Sequence, residues 1–240
     1  MGSNIMHLCI GKNIAKKLNK TEVKEFMLGN LAPDLSKITN QSKYISHFLK
    51  KIELNGVEAE VPDIERFLKE YGDRLDESFV QGYFCHLISD DLWYREYIPM
   101  HVMGITEDKN QILLRDIDDY IPYSEFKRMV YEDYYKSNKK LFKMYKLSLK
   151  KFNDFDIENP NMKEFEYEKI YKLIEQISFY LDYDESTSNV EEEVEGISDV
   201  ELDDDKESEF NLLSENEILT YIEEAIQGVT DMFEKENIIK

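Results

Sequence analysis

The spacing of the apolar residues constrains this fold most, because it has a helical period along almost the whole chain. The five prolines fall where the helical pattern starts or stops. The sequence therefore predicts an all-α fold, a single-domain bundle of several helices. We expect these helices near residues 5–19, 21–30, 42–52, 62–71, 75–98, 123–148, 161–182 and 214–235.

The last predicted helix begins with a capping box formed by Ser214 and Glu217. One of its faces is apolar, which predicts that it packs back onto the domain. The residues of this face are Ile218, Ile222, Ala225, Ile226, Val229 and Phe233.

The net charge of -21 is concentrated in one segment. Residues 182–209 contain 14 acidic residues and the single basic residue Lys206. With few large apolar residues, such a segment cannot offset its ordering entropy, so we expect a disordered acidic insertion. The predicted organisation is a helical domain at 1–181, the insertion at 182–209, and a C-terminal part at 210–240 that belongs to the same domain.

Several classes of protein are disfavoured by composition. No apolar run approaches the length of a transmembrane helix and no secretory pattern is visible, so we expect a cytoplasmic protein without a transmembrane segment. Cys9 and Cys85 lie in apolar surroundings and are predicted to be packed core thiols. The sequence does not indicate the oligomeric state.

The segment 136–151 carries seven lysines interleaved with apolar residues. Such a helix can lie on an anionic membrane or on nucleic acid. In so acidic a chain we favour a core-packing helix with a solvated lysine face. Nucleic acid is not an expected partner, because its binding needs a broader basic surface.

Two polar residues interrupt an aromatic stripe in the predicted helix 75–98. Phe79, Tyr83, His86, Asp90, Trp93 and Tyr97 lie near one line on a helix that advances about 100° per residue. His86 and Asp90 are four residues apart, so both can reach one metal ion. A hydrogen bond between them inside the core and an exposed pair are the alternatives.

Three further residues stand in similarly apolar contexts. His7 lies on an apolar face that also contains Gly11, Asp34 follows the helix break in LGNLAPD, and His47 precedes an apolar turn in SHF. Individually, each of them can be explained as a hydrogen-bonded core histidine or as an aspartate that caps a helix. Together with His86 and Asp90 they form a set suited to Zn²⁺, with Mn²⁺ or Fe as alternatives. Tyr83, Asp91 or Trp93 would orient these ligands.

The order of an early histidine, GNLAPD, SHF and GYFCHLISDDLW resembles the zinc-dependent phospholipase C family across roughly residues 5 to 101. The resemblance implies an all-helical fold with a metal cluster that faces a phosphoester. It further implies that Asp34, His47 and His86 hold one zinc ion, that Asp90 bridges to a second, and that His7 is a ligand of the second. Asp34 would also act on the attacking water, as a catalytic residue.

The chain departs from that family in two respects. In the secreted phospholipases the mature amino terminus joins the site, whereas six residues precede His7 here. The family also has a further site with an HxxxE pair, which this sequence lacks, and His101 is the only remaining histidine. A centre of three metal ions is therefore not expected.

These observations predict a metal-dependent hydrolase of phosphoesters that uses a zinc-activated water. Its substrate would be a phospholipid or a small soluble phosphoester. The alternative is a non-catalytic binding or interaction protein of the same fold, stabilised by a metal ion. A closed coordination sphere would favour the alternative, and an open position would favour the hydrolase.

Overall fold

The computed structural model describes residues 2–20, 23–54, 56–106, 108–148, 158–182 and 210–239. Most of these residues are helical, which confirms the predicted helical character of the chain. The α-helices are α1 (Asn4–Lys17), α2 (Val23–Leu31), α3 (Lys43–Ser46), α4 (Ile64–Tyr71), α5 (Ser78–Leu92), α6 (Ile98–His101), α7 (Tyr123–Met144), α8 (Ile170–Asp182) and α9 (Glu215–Lys235).

Shorter helical turns connect several of these elements. A 3₁₀ turn at Ala32–Lys37 follows α2, a second lies at Gly72–Arg74, and a third at Tyr167–Lys169 precedes α8. A π-helical turn at Trp93–Tyr97 joins α5 to α6. The predicted helix 75–98 is thus three consecutive pieces, and the predicted helix 161–182 begins as an α-helix only at Ile170.

Two small antiparallel sheets depart from the all-α prediction. Strands β1 (Leu49–Leu54) and β2 (Val57–Pro62) form a hairpin in which Leu49 pairs with Pro62. The predicted helix 42–52 is therefore wrong beyond Ser46. Alternating residues on either side of the dipeptide Asn55-Gly56 are a strong hairpin signal, and Gly56 has the positive φ of 81° that such a turn requires.

The second sheet contains strands β3 (Val102–Ile105), β4 (Gln111–Leu114) and β5 (Asp119–Pro122) in sequential order. An irregularity between Val102 and Gly104 shifts the register of β3 against β4. These strands are short, and no helix was predicted across this part of the chain. They connect α6 to α7.

Helix α5 lies at the centre of the core, and every residue from Ser78 to Asp90 is buried. It packs against α1, α2, α4 and α9. Two glycines permit its unusually close contact with α2. A Cβ atom added at Gly82 would lie 1.9 Å from the Phe26 carbonyl oxygen, and one at Gly29 would lie 2.0 Å from the Phe79 carbonyl oxygen.

Helix α9 packs on α1 and α5, and the predicted capping box is present. The Ser214 side chain accepts from the Glu217 backbone amide, and the Glu217 side chain accepts from the Ser214 amide. The predicted apolar face is buried apart from Ile226, which is partly buried. The predicted acidic insertion lies outside the described residues, except for Asp182 at the end of α8.

Other predictions concern single residues or short segments. Cys9 and Cys85 are buried free thiols, as expected. In the lysine-rich segment, Leu141 is buried while Lys139 and Lys143 are exposed, which agrees with a core-packing helix; residues 149–151 lie outside the described residues. No helix in the described ranges combines the length and apolarity needed to cross a membrane.

Candidate metal centre

The five predicted site residues meet in one buried cluster. His7 comes from α1, Asp34 from the 3₁₀ turn after α2, His47 from the residue after α3, and His86 and Asp90 from α5. All five have an exposed fraction of 0%. Residues far apart in sequence therefore converge inside the core.

The carboxylate of Asp90 contacts all three imidazoles. Its Oδ1 lies 3.4 Å from Nε2 of His7, and its Oδ2 lies 3.5 Å from Nε2 of His86 and 3.8 Å from Nε2 of His47. On the other side of the cluster, Oδ1 of Asp34 lies 3.4 Å from Nε2 of His47. Asp90 thus contacts His7 and also His47, the histidine that lies close to Asp34.

Two overlapping groups of three residues have the proximity that a metal ion needs. One group is His7, His86 and Asp90, and the other is Asp34, His47 and His86. Within each group the ligand atoms lie within 4.8 Å of one another. Because His86 belongs to both groups, the two candidate positions are neighbours.

Hydrogen bonds fix the tautomers of two imidazoles. Nδ1 of His86 donates to the Asn30 carbonyl oxygen at 2.8 Å, so the tautomer of the neutral ring has its lone pair on Nε2. The Ser89 hydroxyl donates to the His86 carbonyl oxygen, so it accepts from Nδ1 of His7 at 3.1 Å. Nε2 of His7 is therefore also a lone-pair donor that faces the cluster.

The position of His47 is set by its neighbours in the chain. Its Nδ1 lies 2.8 Å from the Ser46 hydroxyl, and the Tyr83 hydroxyl donates to the Ser46 carbonyl oxygen. Phe48 adopts a left-handed conformation with a φ of 52°, which is uncommon for a bulky residue. This turn directs His47 into the cluster while Phe48 packs in the aromatic core against Phe67.

Both carboxylates are held from outside the cluster. The Lys37 ammonium donates to Oδ2 of Asp34 at 2.8 Å, and the Gly2 backbone amide donates to Oδ1 of Asp90 at 3.3 Å. These bonds leave Oδ1 of Asp34 and Oδ2 of Asp90 directed at the histidines. The outer contacts resemble the supporting hydrogen bonds that orient metal ligands.

Among the described residues, the inner atoms of the cluster have no hydrogen-bond partner. The five atoms are Nε2 of His7, Nε2 of His47, Nε2 of His86, Oδ1 of Asp34 and Oδ2 of Asp90. Buried polar atoms are almost always paired, and leaving one unpaired costs about 1–3 kcal/mol. Five such atoms facing one another fit a site that a cation completes.

The protonation states suit a cation. Burial lowers the pKa of His7 to about 4 and that of His47 to about 4, so both imidazoles are neutral at pH 7. Burial alone would raise the pKa of Asp34 and Asp90, but the Lys37 ammonium at the first and nearby positive charge at the second hold both well below the usual range. A metal ion would displace no proton from these four groups.

Other residues singled out in the sequence lie outside the two groups. Asp91 pairs with Arg95 at 2.7 Å, and Trp93 stacks on Tyr97 at 5.6 Å between ring centroids. His101 has Nε2 3.1 Å from Glu217 and Nδ1 3.7 Å from Asp116. Of the three proposed orienting residues, Tyr83 supports the site through Ser46, whereas Asp91 and Trp93 make their contacts elsewhere.

Sequence reasoning missed Asn30, Ser89 and Lys37 as supporting residues. Asn30 and Lys37 flank Asp34 by four and three residues, and Ser89 precedes Asp90. A buried asparagine and serine beside predicted ligands are signals that could have identified two of them. The Asn30 side chain also contacts Gly11, where an added Cβ would lie 2.5 Å from Nδ2 of Asn30.

The fold and the site together define a mainly helical protein with a buried imidazole and carboxylate cluster that could hold a metal ion. Comparisons of the chain with protein-family models, with curated proteins and with solved structures find no match. The chemistry of the cluster therefore carries the functional information.

Proposed function

We propose that the protein is a metal-dependent hydrolase of phosphoesters in which the five clustered residues hold one or two zinc ions. One observation carries this proposal: each of the two groups, which share His86, offers three protein side chains to an ion. Three protein ligands and a fourth position for water or substrate are typical of catalytic zinc sites, whereas structural sites fill all four positions with protein.

The donor set supports zinc among the candidate ions. It combines neutral imidazole nitrogens with ionised carboxylate oxygens, which zinc accepts and which also suit Mn²⁺ or Fe. Thiolate ligands are disfavoured, because burial raises the pKa of Cys9 and of Cys85 well above the usual range. The ligands would therefore be histidine and aspartate.

A bound zinc ion would acidify a water molecule and neutralise charge on phosphoryl oxygens. In the hydrolysis, the water oxygen bonds to phosphorus, the ester P–O bond breaks, and a proton of the water passes to the leaving alcohol. Asp34 suits the orientation of this water, because its carboxylate is ionised and Oδ1 has no hydrogen-bond partner among the described residues. Lys37 fixes the same carboxylate through Oδ2.

The resemblance to the zinc-dependent phospholipase C family supports the same reaction class. The resemblance implies that Asp34, His47 and His86 hold one ion and that His7 and Asp90 lie toward a second. The two groups in the cluster match this split, except that His86 belongs to both of them. A phospholipid or a small soluble phosphoester is the proposed substrate.

The complete burial of all five ligands favours a second candidate, a binding or interaction protein that a metal ion stabilises. Closed, buried positions are typical of structural zinc. A structure with anomalous scattering at the zinc edge separates the two functions. A coordination sphere filled entirely by protein would support the second candidate.

Hydrolysis is tested on protein freed of metal, reloaded with Zn²⁺ or Mn²⁺, and supplied with para-nitrophenyl phosphate and bis-para-nitrophenyl phosphate between pH 6 and 9. We expect turnover of at least one ester that is lost in Asp34→Asn and retained in Asp91→Asn, whose carboxylate pairs with Arg95. Metal-loaded protein that cleaves neither ester would overturn the proposal.

A further inference from the structure

Two lysines flank the buried cluster. Lys37 lies three residues after Asp34 in the same 3₁₀ turn, and its Nζ is 2.8 Å from Oδ2 of that carboxylate. The Lys37 side chain is 26% exposed, whereas that of Asp34 is fully buried. Lys37 therefore places a positive charge at the edge of the cluster, on a side chain that is partly exposed to solvent.

Lys43 approaches the cluster from another direction. It lies one helical turn before His47, and its Nζ donates to the Tyr94 hydroxyl at 2.9 Å. The same ammonium stands 5.4 Å from the centre of the Tyr94 ring, and Tyr94 lies one turn after Asp90. A lysine and a tyrosine, each one turn from a candidate ligand, thus meet beside the site.

The elements that carry the two lysines pack together, since the 3₁₀ turn that ends at Lys37 contacts α3, which begins at Lys43. Burial lowers the pKa of Lys43, the Asp90 and Asp34 carboxylates oppose that change, and the Lys37 ammonium reinforces it. Two ammonium groups on packed elements beside the cluster favour the binding of an anion there.

From this geometry we infer that Lys37 and Lys43 form a cationic pair that binds the dianionic phosphate of a phosphomonoester. The inference rests on the proposed function and narrows its substrate class. It assigns both residues to substrate binding, where an ammonium acts as a point charge on a phosphoryl oxygen.

Charge favours a monoester over a diester. The two aspartates and the two lysines cancel, so each divalent ion leaves the site with an excess of two positive charges. A monoester offers two negative charges and three unesterified oxygens, whereas a diester offers one charge and two such oxygens. A zwitterionic phospholipid would also bring a cation toward the lysines, which they would repel.

The pair is tested on the zinc-loaded full chain with excess metal removed. Inorganic phosphate binding is measured by isothermal titration calorimetry for the parent, Lys37→Gln, Lys43→Gln and Lys43→Arg. The matched control is Lys50→Gln, because Lys50 is a partly exposed lysine paired with Asp63 outside the cluster. Zinc content and thermal unfolding are measured for every variant, since Lys37 also supports Asp34.

We expect Lys43→Gln to weaken phosphate binding at least tenfold at unchanged zinc content, with Lys43→Arg within threefold of the parent and Lys50→Gln unchanged. With the chromogenic esters, Lys43→Gln should raise KM for the monoester and leave the diester within twofold. Equal phosphate affinity in the parent, Lys37→Gln and Lys43→Gln would overturn the inference. A preference of the parent for the diester would also overturn it.

The two proposals fail in different ways. If neither ester is cleaved while phosphate binds and the lysine variants weaken it, hydrolysis is refuted and the anion site is supported. If the esters are cleaved while the lysine variants behave as the parent in binding and in KM, the cationic pair is refuted and hydrolysis is supported.

Discussion

The backbone carbonyl oxygen of Asn30 accepts a hydrogen bond from Nδ1 of His86 at 2.8 Å. The Asn30 side chain donates in turn to the His7 carbonyl oxygen. One residue of α2 therefore orients a candidate ligand on α5 and fastens the turn of α1 that holds another. This arrangement depends on the close approach of α2 and α5, which Gly29 and Gly82 permit.

Substituting Gly82 tests this dependence. In Gly82→Ala the new Cβ would meet the Phe26 carbonyl oxygen at 1.9 Å and the Asn30 nitrogen at 2.8 Å, both of them backbone atoms. We expect a loss of about 3 kcal/mol in the free energy of unfolding, the upper end for overpacking a core. Equilibrium unfolding in urea measures it.

The matched control is Gly228→Ala in α9, where no atom of the described residues lies within 4 Å of an added Cβ. Alanine is favoured over glycine inside a helix, so this variant should gain about 0.5–1 kcal/mol. Equal losses in both variants would contradict the close contact of α2 and α5.

Asp90 is the residue whose loss should most reduce metal binding, because its carboxylate contacts all three histidines. We expect Asp90→Asn to bind zinc more than about 100-fold more weakly, since altering even the supporting residues of a metal site costs about 10- to 100-fold. Elemental analysis after dialysis and a competition titration with a chelating dye measure it.

The control is Asp91→Asn at the next residue, because the Asp91 carboxylate pairs with Arg95 and lies outside the cluster. It should retain the zinc content of the parent. A parent protein that binds no zinc after reconstitution would mean that the five residues form a core network without an ion.

The sequence predicted the members of the cluster but not its internal arrangement. His86 and Asp90 follow from helical periodicity, since residues four apart share a face. The approach of His47 to Asp34 follows from a left-handed residue at Phe48 and from the crossing of α2 with α5, and neither has a periodic signal. Supporting residues such as Asn30 act partly through backbone atoms, which residue type does not specify.

The fold was predictable to a similar degree. Long amphipathic segments such as α9 were located to within a residue or two, because burial of one face dominates their formation. The hairpin of β1 and β2 was missed even though the dipeptide Asn55-Gly56 marks its turn. The strands of the second sheet are four residues each, too short for an alternating pattern to stand out.

Acidic pH should destabilise the metal-free protein through its histidines. The pKa of His7 and of His47 is lowered to about 4 in the folded state, against 6.5 for the ordinary side chain. Between these values the unfolded chain binds more protons, so the free energy of unfolding rises with pH. From pH 7 to pH 5 we expect a loss of about 2 kcal/mol per histidine.

The lowered pKa of Asp34 and Asp90 acts in the same direction, since their stabilising contribution is lost as the pH falls below about 4. Urea unfolding in the presence of EDTA at several pH values measures the slope. The double variant His7→Gln, His47→Gln should flatten it between pH 7 and 5. An unchanged slope in that variant would refute the assignment to these two residues.

A buried carboxylate attaches the C-terminal part of the chain to α7. Asp133 is fully buried and accepts hydrogen bonds from the backbone amides of Asn211, Leu212 and Leu213 at 2.8, 2.8 and 2.9 Å. Three consecutive amides directed at one carboxylate fix the chain immediately before the cap of α9. The described chain resumes at residue 210, so this contact fixes the backbone that leads into α9.

Asp133→Asn should cost about 2–3 kcal/mol of unfolding free energy, because an amide turns donor hydrogens toward backbone amides that need an acceptor. The first turn of α9 should also exchange its amide hydrogens faster, since Asp133 would no longer fix the backbone that leads into the capping box of Ser214 and Glu217. Urea unfolding and hydrogen exchange measure the two effects.

Asp118→Asn, at an exposed position with a φ of 49°, provides the control, because asparagine tolerates that conformation. Equal stability of the two variants would show that the amides of residues 211–213 do not depend on the Asp133 charge.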